Sequence, residues 1–139
     1  MPDFQTLPLA APTGPLSALV LLFAFCIGHA FADFPLQGDF LSRGKNRKSP
    51  PPPLADGKVS PANLWIYLMS SHCLIHAGFV WVICGCPLLA FVEFVLHWII
   101  DLAKCEGRTS FAADQWMHIA TKAFYVVILW TGILPLGVA

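Results

Sequence analysis

The chain has 139 residues, of which 57% are apolar and 12% are charged, and its formal net charge is zero. Soluble domains carry about a quarter charged residues, and a chain this short buries too little of its surface to hide such an apolar surplus. The composition therefore excludes an ordinary water-soluble domain and predicts a single membrane-embedded domain over residues 1–139. Zero net charge with one short basic cluster also argues against nucleic acid as a partner.

Four apolar runs follow one another, each close to the length that a helix needs to cross about 30 Å of hydrocarbon. They cover residues 16–36, 62–85, 88–103 and 112–134. Pro15 precedes the first run, and Ser60 with Pro61 reads as the cap and first residue of the second. Gly85 and Pro87 separate the second run from the third. No run alternates as a strand would, so we predict an all-α fold, a polytopic four-transmembrane-helix bundle.

The first apolar run also has the length of a signal-peptide core. No Lys or Arg precedes residues 16–28, however, and Asp3 is acidic. Signal peptides carry positive charge at that place. We therefore expect this segment to remain in the mature protein as a helix.

The basic residues predict the orientation in the membrane. Five of the eight Lys and Arg residues fall in loop 38–60, Lys104 and Arg108 fall between the third and fourth runs, and the second loop has none. The positive-inside rule therefore places the first and third loops in the cytoplasm and both termini outside.

Four consecutive prolines, 50–53, favour an extended segment in the first loop. That loop is interpreted either as solvated chain that fixes topology or as a contact for anionic lipid or a partner.

The histidines form the most informative pattern, because each has a His or Asp four residues away. The pairs are His29 with Asp33, His72 with His76, His97 with Asp101, and Asp114 with His118. Spacing of four places both side chains on one helix face, and each predicted helix carries one pair. Glu93, Gln37 and Lys122 extend three of these faces by one turn. Facing lipid would be costly for all of them, so we expect them to face the bundle interior.

With the predicted topology, these pairs lie in one layer toward the cytoplasmic side of the bundle. Imidazole and carboxylate are ligands for divalent metals, zinc first and then iron or manganese. The predicted ligands are His29, Asp33, His72, His76, His97, Asp101, Asp114 and His118. An Asp in such a pair is either a direct ligand or the group that orients its histidine.

The same motifs support a family resemblance. They are His29-x-x-Ala32-Asp33-Phe34-x-Leu36-Gln37, His72-x3-His76, His97-x-x-Ile100-Asp101-x-x-Lys104 and Asp114-Gln115-x-x-His118. As a set they resemble a family of uncharacterised bacterial multi-pass membrane proteins, catalogued as domain of unknown function 3307. The resemblance covers about residues 16–134. It implies a multi-pass protein of the bacterial inner membrane and supplies no reaction.

Several functions remain open at this point. The first is a metal-dependent hydrolase acting on a membrane substrate, with metal-activated water, Glu93 or Asp101 as general base, and Lys122 stabilising negative charge. The second is a proton or metal-ion transport protein, and a third binds haem between histidines. The last is a small structural subunit of a membrane complex, held together by a His/Asp polar network. The lipid bilayer is the expected surrounding in every case. A homo-oligomer would suit the transport protein, and a membrane-protein partner would suit the structural subunit.

Overall fold

The computed structural model describes residue 9 and residues 11–134. Over these residues the fold is all-α, as predicted, with five helices and no strand. The helices are α1 (Pro15–Asp33), α2 (Asp39–Gly44), α3 (Leu64–Cys84), α4 (Pro87–Cys105) and α5 (Phe111–Trp130). Helix α2 lies in the loop between the first two apolar runs, where no helix was expected.

The helix ends follow from local chemistry. Pro15 is the first residue of α1, and Ser17 Oγ accepts the Gly14 N–H at 3.1 Å. The helix ends at Asp33, three residues before its predicted end, because Pro35 has no N–H to continue the ladder and disfavours helical backbone before it. At the other end of the chain, α5 stops at Trp130 rather than residue 134, ahead of Gly132 with φ +67°.

Helix α3 starts later than the sequence predicted. The cap and first-residue roles assigned to Ser60 and Pro61 are wrong, since Asn63 precedes the first helical residue, Leu64. Ser60 instead donates its hydroxyl to the carbonyl of Pro52 at 2.5 Å. This buried hydrogen bond ties the proline-rich stretch back to the segment that enters α3.

The four long helices pack as a bundle with two chemically different halves. Helices α3 and α4 form a tight hairpin, closed by Gly85 in the left-handed conformation (φ +67°) that glycine adopts without strain. Helix α1 packs on α3 and α5, and α4 packs on α5. An apolar core fills the half around the α3–α4 turn, including Leu21, Phe25, Val80 and Leu89. The polar residues of the predicted site lie in the other half.

Two helices, α1 and α3, are long and apolar enough to cross a membrane. Helices α4 and α5 have the necessary length, but they carry more charged side chains. Those charges belong to the inward-facing polar stripes. Helices α1 and α3 therefore support a membrane location for the chain. That all four long helices span the membrane stays a proposal.

The basic loop folds back over the polar end of the bundle. Arg47 Nε donates to Glu106 Oε1 at 2.5 Å, and Lys48 Nζ lies 3.3 Å from Glu106 Oε2. The Arg47 guanidinium also lies over the Trp65 ring, 5.6 Å from its centroid. Glu106, just beyond the end of α4, therefore anchors the loop to the bundle.

This anchor is expected to be acid-sensitive. The hydrogen bond from Arg47 lowers the pKa of Glu106 from 4.5 to about 2. Because the folded pKa is depressed, the stabilisation is complete above about pH 4.5 and is lost as the pH falls toward 2. We expect amide hydrogen exchange in loop 45–63, corrected for its intrinsic pH dependence, to become faster as the pH drops through that window. Glu106→Gln is expected to expose Arg47 and Lys48 to trypsin at neutral pH.

Asp56→Asn provides the matched control, because Asp56 pairs with Lys58 inside the loop itself and not with the bundle. Its trypsin pattern should equal that of the wild type. Equal tryptic cleavage of wild type and Glu106→Gln at pH 7 would contradict the anchoring role.

Candidate metal centre

The structure brings all eight sequence-predicted ligands into one cluster inside the bundle. Each long helix supplies one of the four pairs, and every pair points inward. Seven of the eight residues are buried; Asp33, at the end of α1, has the most exposed side chain of the set at 11%. The cluster therefore reaches the protein surface at Asp33.

Four of these residues form a compact set that we call the primary ligand group: Asp33, His72, His76 and His97. Asp33 Oδ1 lies 3.1 Å from His76 Nε2 and 3.4 Å from His72 Nε2, and His72 Nε2 lies 3.3 Å from His97 Nε2. One ligand atom from each residue falls within 4.8 Å of all the others. Tetrahedral zinc with bonds of about 2.0–2.1 Å separates its ligand atoms by about 3.3 Å. Three of the distances in this group are close to that separation, and the four residues could hold a metal ion.

A second ligand group adjoins the first and shares one histidine with it. It consists of His97, Asp101 and His118. His118 Nε2 lies 3.5 Å from Asp101 Oδ1, and His97 Nε2 lies 4.0 Å from Asp101 Oδ2. His72 Nε2 of the primary group is 3.4 Å from the same Oδ2 atom.

His29, the histidine of α1, contacts the primary ligand group at the nitrogen of His76 that faces away from the other ligands. His29 Nδ1 lies 3.4 Å from His76 Nδ1, so one ring donates its N–H to the other. Its second nitrogen lies 3.5 Å from Asp33 Oδ2, which also accepts a hydrogen bond from the Gln115 amide at 2.8 Å. Ligand histidines in metal sites are oriented by such contacts at their far nitrogen.

Glu93 and Lys122, the predicted catalytic residues, lie behind His97. Glu93 Oε1 is 3.2 Å from His97 Nδ1 and 2.5 Å from Lys122 Nζ, and the Tyr125 hydroxyl donates to Glu93 Oε2 at 3.0 Å. This carboxylate–imidazole contact directs His97 Nε2 toward the ligand groups. The two residues meet the ligand groups through His97, and their catalytic roles stay a prediction.

A comparison of the sequence with known families identifies the chain. The sequence model of a family described as protein of unknown function, DUF3307, matches residues 21–136. The chain belongs to this family. The matched range includes every residue of both ligand groups. No curated protein and no solved structure matches the chain.

Lys45 is the contributor to this DUF3307 site that sequence reasoning missed. It was assigned to the solvated basic loop, yet its side chain is only 5% exposed and its ammonium group pairs with Asp101 Oδ2. Asp101 lies 56 residues away, so no spacing rule connects the two. Tyr125 was missed for the same reason, since its partner Glu93 lies on another helix.

Asp114 of the DUF3307 chain is a buried member of the polar network. The cap of α5 is Ser110, whose side chain accepts the Ala113 N–H at 3.2 Å. Asp114 instead accepts a hydrogen bond from Lys104 Nζ at 2.9 Å. Its other carboxylate oxygen lies 3.6 Å from His118 Nε2.

Some buried polar atoms in this cluster have no hydrogen-bond partner among the described residues. They include His29 Nε2, His72 Nδ1, Asp114 Oδ1 and His118 Nε2. An unsatisfied buried polar group costs about 1–3 kcal/mol, and none of these four atoms is a ligand atom of the primary group, which His72 joins through Nε2. The donors present, imidazole nitrogens and carboxylate oxygens, fit a divalent metal.

Proposed function

We propose that the chain is an integral membrane metalloprotein that binds a divalent ion, zinc first, at Asp33, His72, His76 and His97. Three imidazoles and one carboxylate form a typical zinc ligand set, and iron and manganese accept the same atoms. The distances of 3.1–3.4 Å between neighbouring ligand atoms support a tetrahedral ion.

The observation that carries this proposal is the pairing of the buried acids. Each of the other acids is paired with one lysine: Glu93 with Lys122, Asp101 with Lys45, and Asp114 with Lys104. Asp33, within the described residues, contacts imidazoles and the Gln115 amide but no Lys or Arg. A carboxylate held among three histidines without a counterion is strongly stabilised by a bound cation.

Elemental analysis tests the proposal. The full-length protein, purified in detergent without chelator, is expected to retain about one zinc ion per chain. Iron or manganese at the same stoichiometry would support the proposed binding site but show that its metal is not zinc. Absence of all three metals from the folded protein would contradict the proposal. It would favour the alternative in which a His/Asp polar network holds together a structural subunit of a complex.

We further propose that all four long helices span the bacterial inner membrane, with the polar end of the bundle in the cytoplasmic half and both termini outside. Large apolar side chains face outward on every long helix: Leu19, Phe23, Leu74, Trp81, Phe91, Ile99, Phe124 and Val127. Such a surface suits lipid. Cysteine labelling from each side of sealed vesicles tests the topology, and cytoplasmic labelling near residue 86 would overturn it.

For the reaction, we propose hydrolysis of an ester or phosphoester group of a membrane substrate. A zinc ion held by three of these four residues, with its fourth position left to water, would supply water of lowered pKa. Asp33 lies at the exposed edge of the group, where a substrate would enter from the cytoplasmic side of the bilayer. Asp101 Oδ2 lies 3.4 Å from His72 Nε2, but the same oxygen is paired with Lys45, so Asp101 is a weak proton acceptor while that pair is intact.

A chromogenic ester and a fluorescent phospholipid in vesicles serve as probes for this activity. We expect cleavage of at least one probe that disappears on zinc removal and returns with zinc. Cleavage unaffected by a chelator, or none with a fully loaded protein, would contradict the hydrolase proposal.

The shape of the bundle favours a fixed metal site over ion transport. Polar side chains occupy one half of the bundle, and the apolar cluster around Phe25, Val80 and Leu89 fills the other. A transport path needs polar or water-lined contacts across the whole membrane thickness. Flux of protons or zinc into liposomes would reverse this preference.

A further inference from the structure

Lys45 differs from the other basic residues of its loop in the direction of its side chain. Arg43 pairs at the surface with Asp39, and Arg47 and Lys48 reach Glu106 at the edge of the bundle. Lys45, which follows the last residue of α2, turns inward and is buried against Asp101. The loop therefore delivers one positive charge into the polar cluster.

That charge lies at the second ligand group, His97, Asp101 and His118. His118 Nε2 is buried and has no hydrogen-bond partner among the residues that the structure describes; it lies 3.5 Å from Asp101 Oδ1 and 3.6 Å from Asp114 Oδ1. His97 Nε2 is a ligand of the first ion and its Nδ1 contacts Glu93, so a second divalent ion beside the first would be held by His118 Nε2 with oxygens of Asp101 and Asp114. Lys45, however, already neutralises the carboxylate that this ion would need.

We propose that Lys45 is a tethered cation that takes the place of a second metal ion and restricts the site to one ion. The inference rests on the proposed metal function and specifies how many ions that site accepts. An ammonium group and a dication sharing one carboxylate repel each other strongly inside a protein, where the dielectric is low. Lys45 thus decides between a one-metal and a two-metal centre.

The metal-to-protein ratio of variants at residue 45 tests this inference. After equilibration of the full chain with excess zinc and removal of free metal, the wild type is expected to hold about one ion and Lys45→Met about two. Lys45→Arg keeps the charge and is expected to stay at about one. The double variant Lys45→Met with His118→Ala loses a ligand of the second group and should return to about one. Lys48→Met, in the same loop but exposed, is the matched control and should equal the wild type.

The outcomes separate the two proposals. One ion in wild type and one in Lys45→Met overturns the inference and leaves the metal site standing. Two ions bound to the wild type would also overturn the inference about Lys45. No ion in any variant refutes both. If Lys45→Met does not fold, cobalt titration of the wild type decides, because its visible absorption should saturate at about one equivalent. Saturation at about two equivalents would overturn the inference.

Discussion

Replacing His72 by alanine is expected to weaken zinc binding by about two to three orders of magnitude. His72 Nε2 lies within 3.4 Å of ligand atoms on Asp33, His97 and Asp101, so it is the centre of the primary ligand group. A four-ligand zinc site is worth about 10–16 kcal/mol, and losing one ligand removes roughly a quarter of that. A loss of about 2.5–4 kcal/mol corresponds to about 60- to 800-fold weaker binding. Competition with a chromogenic zinc chelator measures this change directly.

His118→Ala is the matched control for that variant. His118 is a buried histidine of the same cluster, but it belongs to the second ligand group. In the presence of Lys45 the first ion should bind His118→Ala with nearly wild-type affinity. Zinc affinity lost in His118→Ala and kept in His72→Ala would move the metal to the second group and contradict the assignment.

The second large effect is expected for Lys122→Met, which should destabilise the folded bundle by about 3–5 kcal/mol. Lys122 and Glu93 are buried together, with Nζ and Oε1 at 2.5 Å. Removing the ammonium leaves the Glu93 carboxylate charged inside the bundle, with His97 and the Tyr125 hydroxyl as its remaining partners. Thermal unfolding of the purified protein in detergent, followed by circular dichroism, measures the loss.

Two further variants define the cause of that loss. Lys122→Met combined with Glu93→Gln removes both charges and should recover much of the stability, since a buried pair can be replaced by neutral groups at small cost. Arg43→Met breaks the exposed pair with Asp39 and should cost less than about 1 kcal/mol. Equal losses of stability in Arg43→Met and Lys122→Met would show that the buried Lys122–Glu93 pair contributes no more to stability than the exposed Arg43–Asp39 pair.

The sequence predicted the inward faces of the helices because those depend on local geometry alone. A spacing of four residues fixes the common face of His29 and Asp33, or of His97 and Asp101, before any tertiary contact forms. The cost of turning such a face to lipid then fixes its direction. Eight residues on four helices were consequently assigned to one cluster, and the structure brings them together.

The contacts between helices were beyond the reach of spacing rules. Which carboxylate meets Lys45, Lys104 or Lys122 depends on how the helices are placed against each other, and that placement is a property of the whole bundle. Helix α2 has only six residues, too few to produce a periodic pattern. The end of α1 at Asp33 was predictable in principle, because Pro35 disfavours helical backbone at the residue before it.

The tight α3–α4 hairpin has a consequence for how the protein is made. Asp33, His72, His76 and His97 all precede Asp101 in the chain, so the ribosome has synthesised the complete primary ligand group before it begins α5. The hairpin of α3 and α4 brings three of those four side chains, His72, His76 and His97, into proximity as one unit. Helix α5 then arrives last and adds Lys122 and Tyr125 around a ligand set that its predecessors have already assembled.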